Sequence, residues 1–262
     1  MNILEKIIAR KREEVAQNKI AIPVYILEQS ALFLRDSISL KASLKTTTGI
    51  ITEFKRQSPS KGIINGSALV QDVVKGYDEN GSACMSVLTD EPFFGGHNND
   101  LIQARKVTQK PILRKDFIID EYQITEAKSI GADVILLIAA CLTVEETSRL
   151  AKFAKSLHLE VLLELHTADE LGHVCPEVDL VGINNRNLKT FEVNWQNSID
   201  LAAALPADKP KIAESGIHDV ATLLMLKQNG FDGFLIGENF MKQQDPGAAF
   251  GAFVQEIKLQ SA

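Results

Sequence analysis

Residues 49–62 read GIITEFKRQSPSKG: an apolar run, Ile50 and Ile51, that ends in two charged residues of the same parity, Glu53 and Lys55. Side chains two apart on a strand project to one face, so this strand aims a carboxylate and an ammonium at the same place. On a surface such a pair is worth about 0–1 kcal/mol; on an interior face it makes a site. Seven further runs have a similar β-like character: ACMSVLTD (83–90), PILRKDF (111–117), DVILLIA (133–139), EVLLELH (160–166), LVGINNR (180–186), KIAESG (211–216) and GFLIGE (233–238). Their starts fall roughly 20–35 residues apart, the length of a strand, a helix and two loops. Helical patterns such as SALVQDVVKGYDENG fill the intervals, and several stop at glycine (Gly81, Gly131, Gly230), which readily takes the left-handed backbone that ends a helix.

Eight βα units without a compositional break predict an α/β chain folded as a (β/α)8 barrel, a single domain over residues 1–262 with residues 1–48 as an N-terminal helical extension. A doubly wound open sheet is the other arrangement considered. It lacks support in a G-x-G-x-x-G turn after the first strand. In such barrels the site lies at the C-terminal ends of the strands. Five runs begin apolar and finish polar there: Glu53 and Lys55 on the first, Lys115 on the third, Glu164 on the fifth, Asn184 and Arg186 on the sixth, Glu214 and Ser215 on the seventh. The fourth stays apolar and supplies a wall through Leu136 and Ile138.

The 262 residues carry a formal net charge of −6, with 45% hydrophobic and 24% charged residues. That composition suits a globular chain with a sizeable core and disfavours a broad nucleic-acid surface, which needs clustered Lys and Arg. The opening MNILEKIIARKREEVAQNK is neither a signal peptide nor a membrane span, and its basic ARKRE reads as a solvated helix face because glutamates alternate with it. Cys84, Cys141 and Cys175 form neither a disulfide framework nor a CxxC site, so a reducing cytoplasm is expected; Cys84 reads as a small core residue.

Gly216 and Gly237 lie just past the seventh and eighth runs, where barrels often bind phosphate through backbone N–H groups, and Ser215 adds a hydroxyl. The five histidines show no metal-ligand spacing. His166 shares parity with Glu164 but reads as a solvated loop residue.

The stretches EFKRQSPSKG, VLTDEPFFGG, PILRKDFIIDEYQI, GADVILLI, LLELH, GINNRNL, AESGI and FLIGENFM, in that order, resemble the indole-3-glycerol phosphate synthase family over nearly the whole chain. The resemblance implies closure of 1-(2-carboxyphenylamino)-1-deoxyribulose 5-phosphate to a pyrrole ring with loss of carbon dioxide and water, with no metal or organic cofactor. It implies Lys115 as the acid acting on the substrate ketone, Glu53 as the carboxylate that orients it, and Glu164 as the acid/base of the later elimination. Lys55 matches a residue that reaches the phosphate and assists dehydration, and which lysine serves which step stays open. Asn184 matches a positioning residue, Arg186 a partner of the anthranilate carboxylate, and Glu214 a site-ordering carboxylate. Ser215, Gly216, Gly237 and Glu238 belong to the phosphate turns. Phe117, Leu136, Ile138 and Leu188 would line the aromatic pocket, while Ser58 and Pro59 sit in the first βα loop, which closes over ligand. His97 and Asn239-Phe240 depart from the family pattern, the latter with an expected effect on phosphate-loop packing.

The partner implied is a phosphorylated small molecule, with no nucleic acid, no membrane, and a monomer expected. Two other classes fit some of these residues: a Schiff-base aldolase, since a barrel lysine beside a carboxylate suits covalent carbonyl chemistry, and a non-enzymatic phosphate-binding module. The second requires loss of an acid/base position, and Glu53, Lys55, Lys115 and Glu164 are all present.

Overall fold

The computed structural model describes residues 2–186 and 193–260. Each expected run forms a strand: β1 (Ile50–Phe54), β2 (Cys84–Leu88), β3 (Ile112–Lys115), β4 (Val134–Ile138), β5 (Glu160–Leu165), β6 (Leu180–Asn184), β7 (Lys211–Glu214) and β8 (Gly233–Ile236). Every strand pairs in parallel with its successor, and β8 pairs with β1, so the sheet closes as the (β/α)8 barrel expected.

Strand alternation divides the apolar residues between two cores. Ile51, Leu113, Leu136, Leu162, Ile212 and Leu235 fill the inside of the barrel, with Cys84 buried among them. Their neighbours Ile50, Met85, Ile112, Ile135, Val161 and Ile183 face outward and are covered by helices with apolar stripes. Residues 70–79 show why: Val70, Val73, Val74 and Tyr77 recur at helical spacing and are buried together, as an amphipathic helix requires. Gly131, with φ of 97°, ends the helix Glu121–Ile130 and turns the chain into β4.

The N-terminal extension engages both ends of the barrel. At the bottom, helix α3 (Leu40–Leu44), the third of the extension after α1 (Ile3–Ala21) and α2 (Val24–Leu27), inserts Leu40 and Leu44 into the inner core. The Glu160 carboxylate at the start of β5 accepts from the Leu40 and Lys41 N–H groups at 2.8 and 3.1 Å. This satisfies donors that a helix N-terminus cannot pair internally. Asp133, buried at the start of β4, holds Arg35 at 2.6 Å and Arg105 at 2.8 Å.

At the top, α1 lies along the barrel mouth, and here one expectation is corrected. Lys11, in the ARKRE stretch read as a solvated face, is only 1% exposed. It occupies the buried stripe Ile7–Lys11–Val15, and its ammonium lies 3.1 Å from Asp90, 3.0 Å from Asp116 and 3.0 Å from Glu14. Charge alternation along the sequence masked the i, i+4, i+8 spacing that puts Lys11 on the inner face. Arg10, Arg12 and Glu13 are exposed as expected. Among the described residues, no helix is long and apolar enough to cross a membrane.

Candidate active site

The strand register brings the polar strand ends to one level. Glu53 lies beside Ser86, Ile138 beside Glu164, and Asn184 beside Glu214. Above them opens a cavity of about 1050 Å³ lined by Glu53, Lys55, Lys115, Glu164, Asn184, Glu214 and Ser215, with Leu136, Ile138 and Phe117 as apolar wall. Ser58, Pro59, Arg186, Gly216, Gly237 and Glu238 also line it. Leu188 lies outside the described residues. The pair Glu53 and Lys55 therefore faces the interior: Lys55 Nζ donates to Glu53 Oε1 at 2.6 Å, and Glu53 is almost fully buried.

Lys115 sits at the centre. Its ammonium is 2.8 Å from Glu164 Oε2 and 3.4 Å from Glu214 Oε2. Burial alone would lower its proton affinity, but Glu164, Glu214 and Glu53 outweigh burial and hold the amine protonated beyond the ordinary lysine range. Glu164 shows the reverse balance, with burial opposed by Lys115 and His166, which keep it well below the usual carboxylate range. Its Oε1 accepts from Asn184 Nδ2 at 3.1 Å. Glu214 is pushed up to about 8 by burial first; Lys115 opposes, while Glu164 and Glu53 add to the rise. With Glu214 carrying a proton, the ammoniums of Lys115 and Lys55 are matched by Glu164 and Glu53.

Two glycines make room for these carboxylates. A Cβ on Gly182 of β6 would collide with Glu214 Oε1, and one on Gly237 would sit 2.5 Å from Glu53 Oε1. The expected phosphate turns have a distinct backbone: Ser215 and Gly216 adopt φ of 67° and 79° in succession. The short helix Glu238–Met241 starts directly after Gly237. Asn185 braces the first turn by donating to the carbonyls of Glu214 and Ser215 at 2.7 and 3.0 Å. The Glu238 carboxylate turns towards Arg186 and Lys61, each at 3.8 Å, leaving its backbone N–H as the group suited to an anion. Of the two departures from the family pattern, His97 is exposed near Glu91. Asn239 donates to the His218 carbonyl, while Phe240 joins a buried aromatic group with Tyr77, Phe250 and Phe253.

His166 is a second correction. Its side chain is 8% exposed, lines the cavity, and places Nε2 3.3 Å from Glu164 Oε1. The turn Ala168–His173 folds Glu170 back onto the His166 and Thr167 N–H groups, drawing the ring inward. The parity shared with Glu164 was the signal that counted.

Other lining residues have weaker sequence signals. Phe94 stacks obliquely on Phe117 with ring centroids 5.9 Å apart. Asn2, Ile3, Leu4 and Ile7 bring α1 to the cavity edge. Lys11 fixes that edge to the active strand, because Asp116 directly follows Lys115 and accepts from the Phe117 N–H at 2.8 Å. Among the described residues no grouping of His, Cys, Asp and Glu is arranged to hold a metal ion.

The family model of indole-3-glycerol phosphate synthase matches residues 4–253. An indole-3-glycerol phosphate synthase of Bacteroides thetaiotaomicron is 47% identical over 258 residues, covering 98% of this chain and 99% of that protein. One of Polaromonas sp. is 43% identical over 254 residues, covering 95% and 96%. Solved structures share the barrel at low identity. Tryptophan synthase subunit alpha from Legionella pneumophila superposes with a TM-score of 0.61 at 12% identity over 84% of this chain and 97% of its own. Thiamine phosphate pyrophosphorylase from Pyrococcus furiosus gives 0.59 at 15% over 84% and 99%.

Proposed function

The chain belongs to the indole-3-glycerol phosphate synthase family, and on that premise we propose how its own residues divide the work of ring closure, decarboxylation and dehydration. Lys115 is the acid that protonates the ketone of 1-(2-carboxyphenylamino)-1-deoxyribulose 5-phosphate as the ring carbon attacks. The observation that carries this reading is the Lys115 ammonium, half-buried and held protonated between Glu164 and Glu214 on the cavity floor. Glu53 orients the lysines electrostatically, and Lys55 reaches from the same strand towards the phosphate.

Glu164 serves the elimination. Its anionic carboxylate, fixed by Asn184, suits removal of the ring-methylene proton and return of a proton to the departing hydroxyl. Glu214 holds its proton near neutral pH and keeps the floor from becoming a surplus of negative charge. Ser215, Gly216, Gly237 and the Glu238 N–H receive the phosphate, Arg186 the anthranilate carboxylate. Phe117, Leu136 and Ile138 flank the aromatic ring, while Ser58 and Pro59 close from the first βα loop. The extension and barrel act as one domain, supported by the buried links at Lys11 and Asp133. We place the enzyme in the cytoplasm, as its three free cysteines suit, and as a monomer.

The roles separate in one experiment that follows carbon dioxide release and indole fluorescence together. Lys115→Met should abolish both, since the ring never closes. Glu164→Gln should release carbon dioxide without a matching rise in indole. Equal, near-normal appearance of both products in either variant would overturn the assignment.

A further inference from the structure

The reaction takes up one proton per turnover. The substrate carboxylate leaves as neutral carbon dioxide, and the ketone oxygen gains two protons on its way to water while the ring methylene gives back one. That net proton must reach a floor whose key groups, Lys115 and Glu164, are 16% and 4% exposed. His166 and Glu170 line the same cavity as Glu164. The His166 Nε2 faces Glu164 Oε1 at 3.3 Å, and its Nδ1 lies 4.0 Å from Glu170 Oε2. Glu170 is pinned by the His166 and Thr167 N–H groups at 2.5 and 3.2 Å, so the ring is held between two carboxylates. The side chain is largely buried and faces the cavity, with Glu164 as the polar partner within reach of Nε2.

We propose that His166 is the proton-supplying residue of this site: it gains a proton from water at the cavity mouth and passes it by way of Glu164 to Lys115, restoring the proton that each turnover takes from that ammonium. The inference rests on the reading of Glu164 as the acid/base. In the transfer, the Nε2–H bond breaks and an O–H bond forms on Glu164; the Glu164 carboxyl then yields a proton to the neutral Lys115 amine, 2.8 Å from its Oε2 in the resting site, so that carboxylate and ammonium are both restored. The ring is left neutral and regains its proton from water at the cavity mouth, and no electrons change hands. His166 acts through Glu164, so it is a positioning residue and need not touch substrate. The charged groups that bear on it are Glu164 and Glu170 on either side, Glu214 from β7, and Lys115 beyond Glu164. Burial lowers the ring's proton affinity, but the three carboxylates outweigh it and raise it above the ordinary value. The ring can therefore carry a proton at neutral pH, where an unperturbed imidazole is mostly neutral.

His166→Gln tests this, because Gln can still hydrogen-bond Glu164 but cannot carry a proton. The expected result is a kcat lower by about tenfold or more at pH 8, at the low end for a proton-transfer group. KM should stay within about twofold, since ground-state binding is untouched. The deficit should shrink towards pH 6, where solvent supplies protons more readily, and added imidazole should restore turnover saturably. Wild-type kcat and pH profile in a variant with normal melting temperature would overturn the proposal. So would a change confined to KM, or a loss that neither imidazole nor low pH repairs. Glu164→Gln run alongside separates the layers. If it turns over normally, the acid/base reading itself is wrong; if it fails while His166→Gln is normal, only the His166 inference falls.

Discussion

Replacing Lys115 by Met keeps roughly the side-chain volume and removes the charge on which three carboxylates converge. At 2.8 Å the attraction to Glu164 is about 6 kcal/mol at an effective dielectric of ~20, and to Glu214 at 3.4 Å about 5 kcal/mol. The second is realised only once Glu214 ionises, at a pH of about 8. The ammonium's own burial cost vanishes with it, which leaves a net loss of about 3–5 kcal/mol for breaking a buried pair from one side. The loss depends on pH in a definite direction. Without Lys115, the folded-state pKa of Glu164 rises above its unfolded value of about 4.3, and Glu214 rises further. A group raised in this way weakens the fold progressively as pH climbs from the unfolded towards the folded pKa. Urea midpoints should therefore show a small deficit at pH 5 and about 3 kcal/mol at pH 8, with kcat down by about 10²–10⁴-fold. A deficit equal at both pH values, or a variant more stable than wild type at pH 8, would refute the electrostatic reasoning; retention of a tenth of wild-type kcat would refute the acid role.

Glu53→Gln preserves shape but removes the charge facing Lys55, so turnover should fall by about 10²-fold, as for a misplaced catalytic group, with little change in melting temperature; near-normal turnover would remove Glu53 from the machinery. Glu214→Gln should match wild type in stability at pH 5 and exceed it at pH 8 by on the order of a few kcal/mol, because the raised wild-type carboxyl destabilises the fold between about pH 4 and 8. Chemical denaturation at the two pH values checks this, and an identical gap at both would contradict it. Lys11→Met strands Asp90 and Asp116 in a buried site and should cost about 3–5 kcal/mol; a melting temperature unchanged at pH 7 would return Lys11 to the surface role its neighbours suggest.

Local chemistry determined much of this protein from sequence alone. Short apolar runs at the spacing of βα units set β1 to β8, glycine set helix ends such as Gly131, and strand parity set which of Glu53, Lys55, Glu164 and Asn184 face inward. These are properties of single segments, so they survive without knowledge of neighbours. What only the tertiary structure decided concerns pairs from different segments. Lys11 looks solvated until α1 docks and Asp90 and Asp116 arrive from two loops. His166 looks solvated until Glu170 folds back and closes the turn over it. Gly237 reads as a phosphate-turn glycine, and Gly182 carries no signal within its strand, until Glu53 and Glu214, from adjacent strands, claim the space a Cβ would fill. The proton on Glu214 follows the same rule: no carboxyl group states its pKa in its own sequence, and only the burial and nearby charges assembled by the closed barrel raise it to about 8.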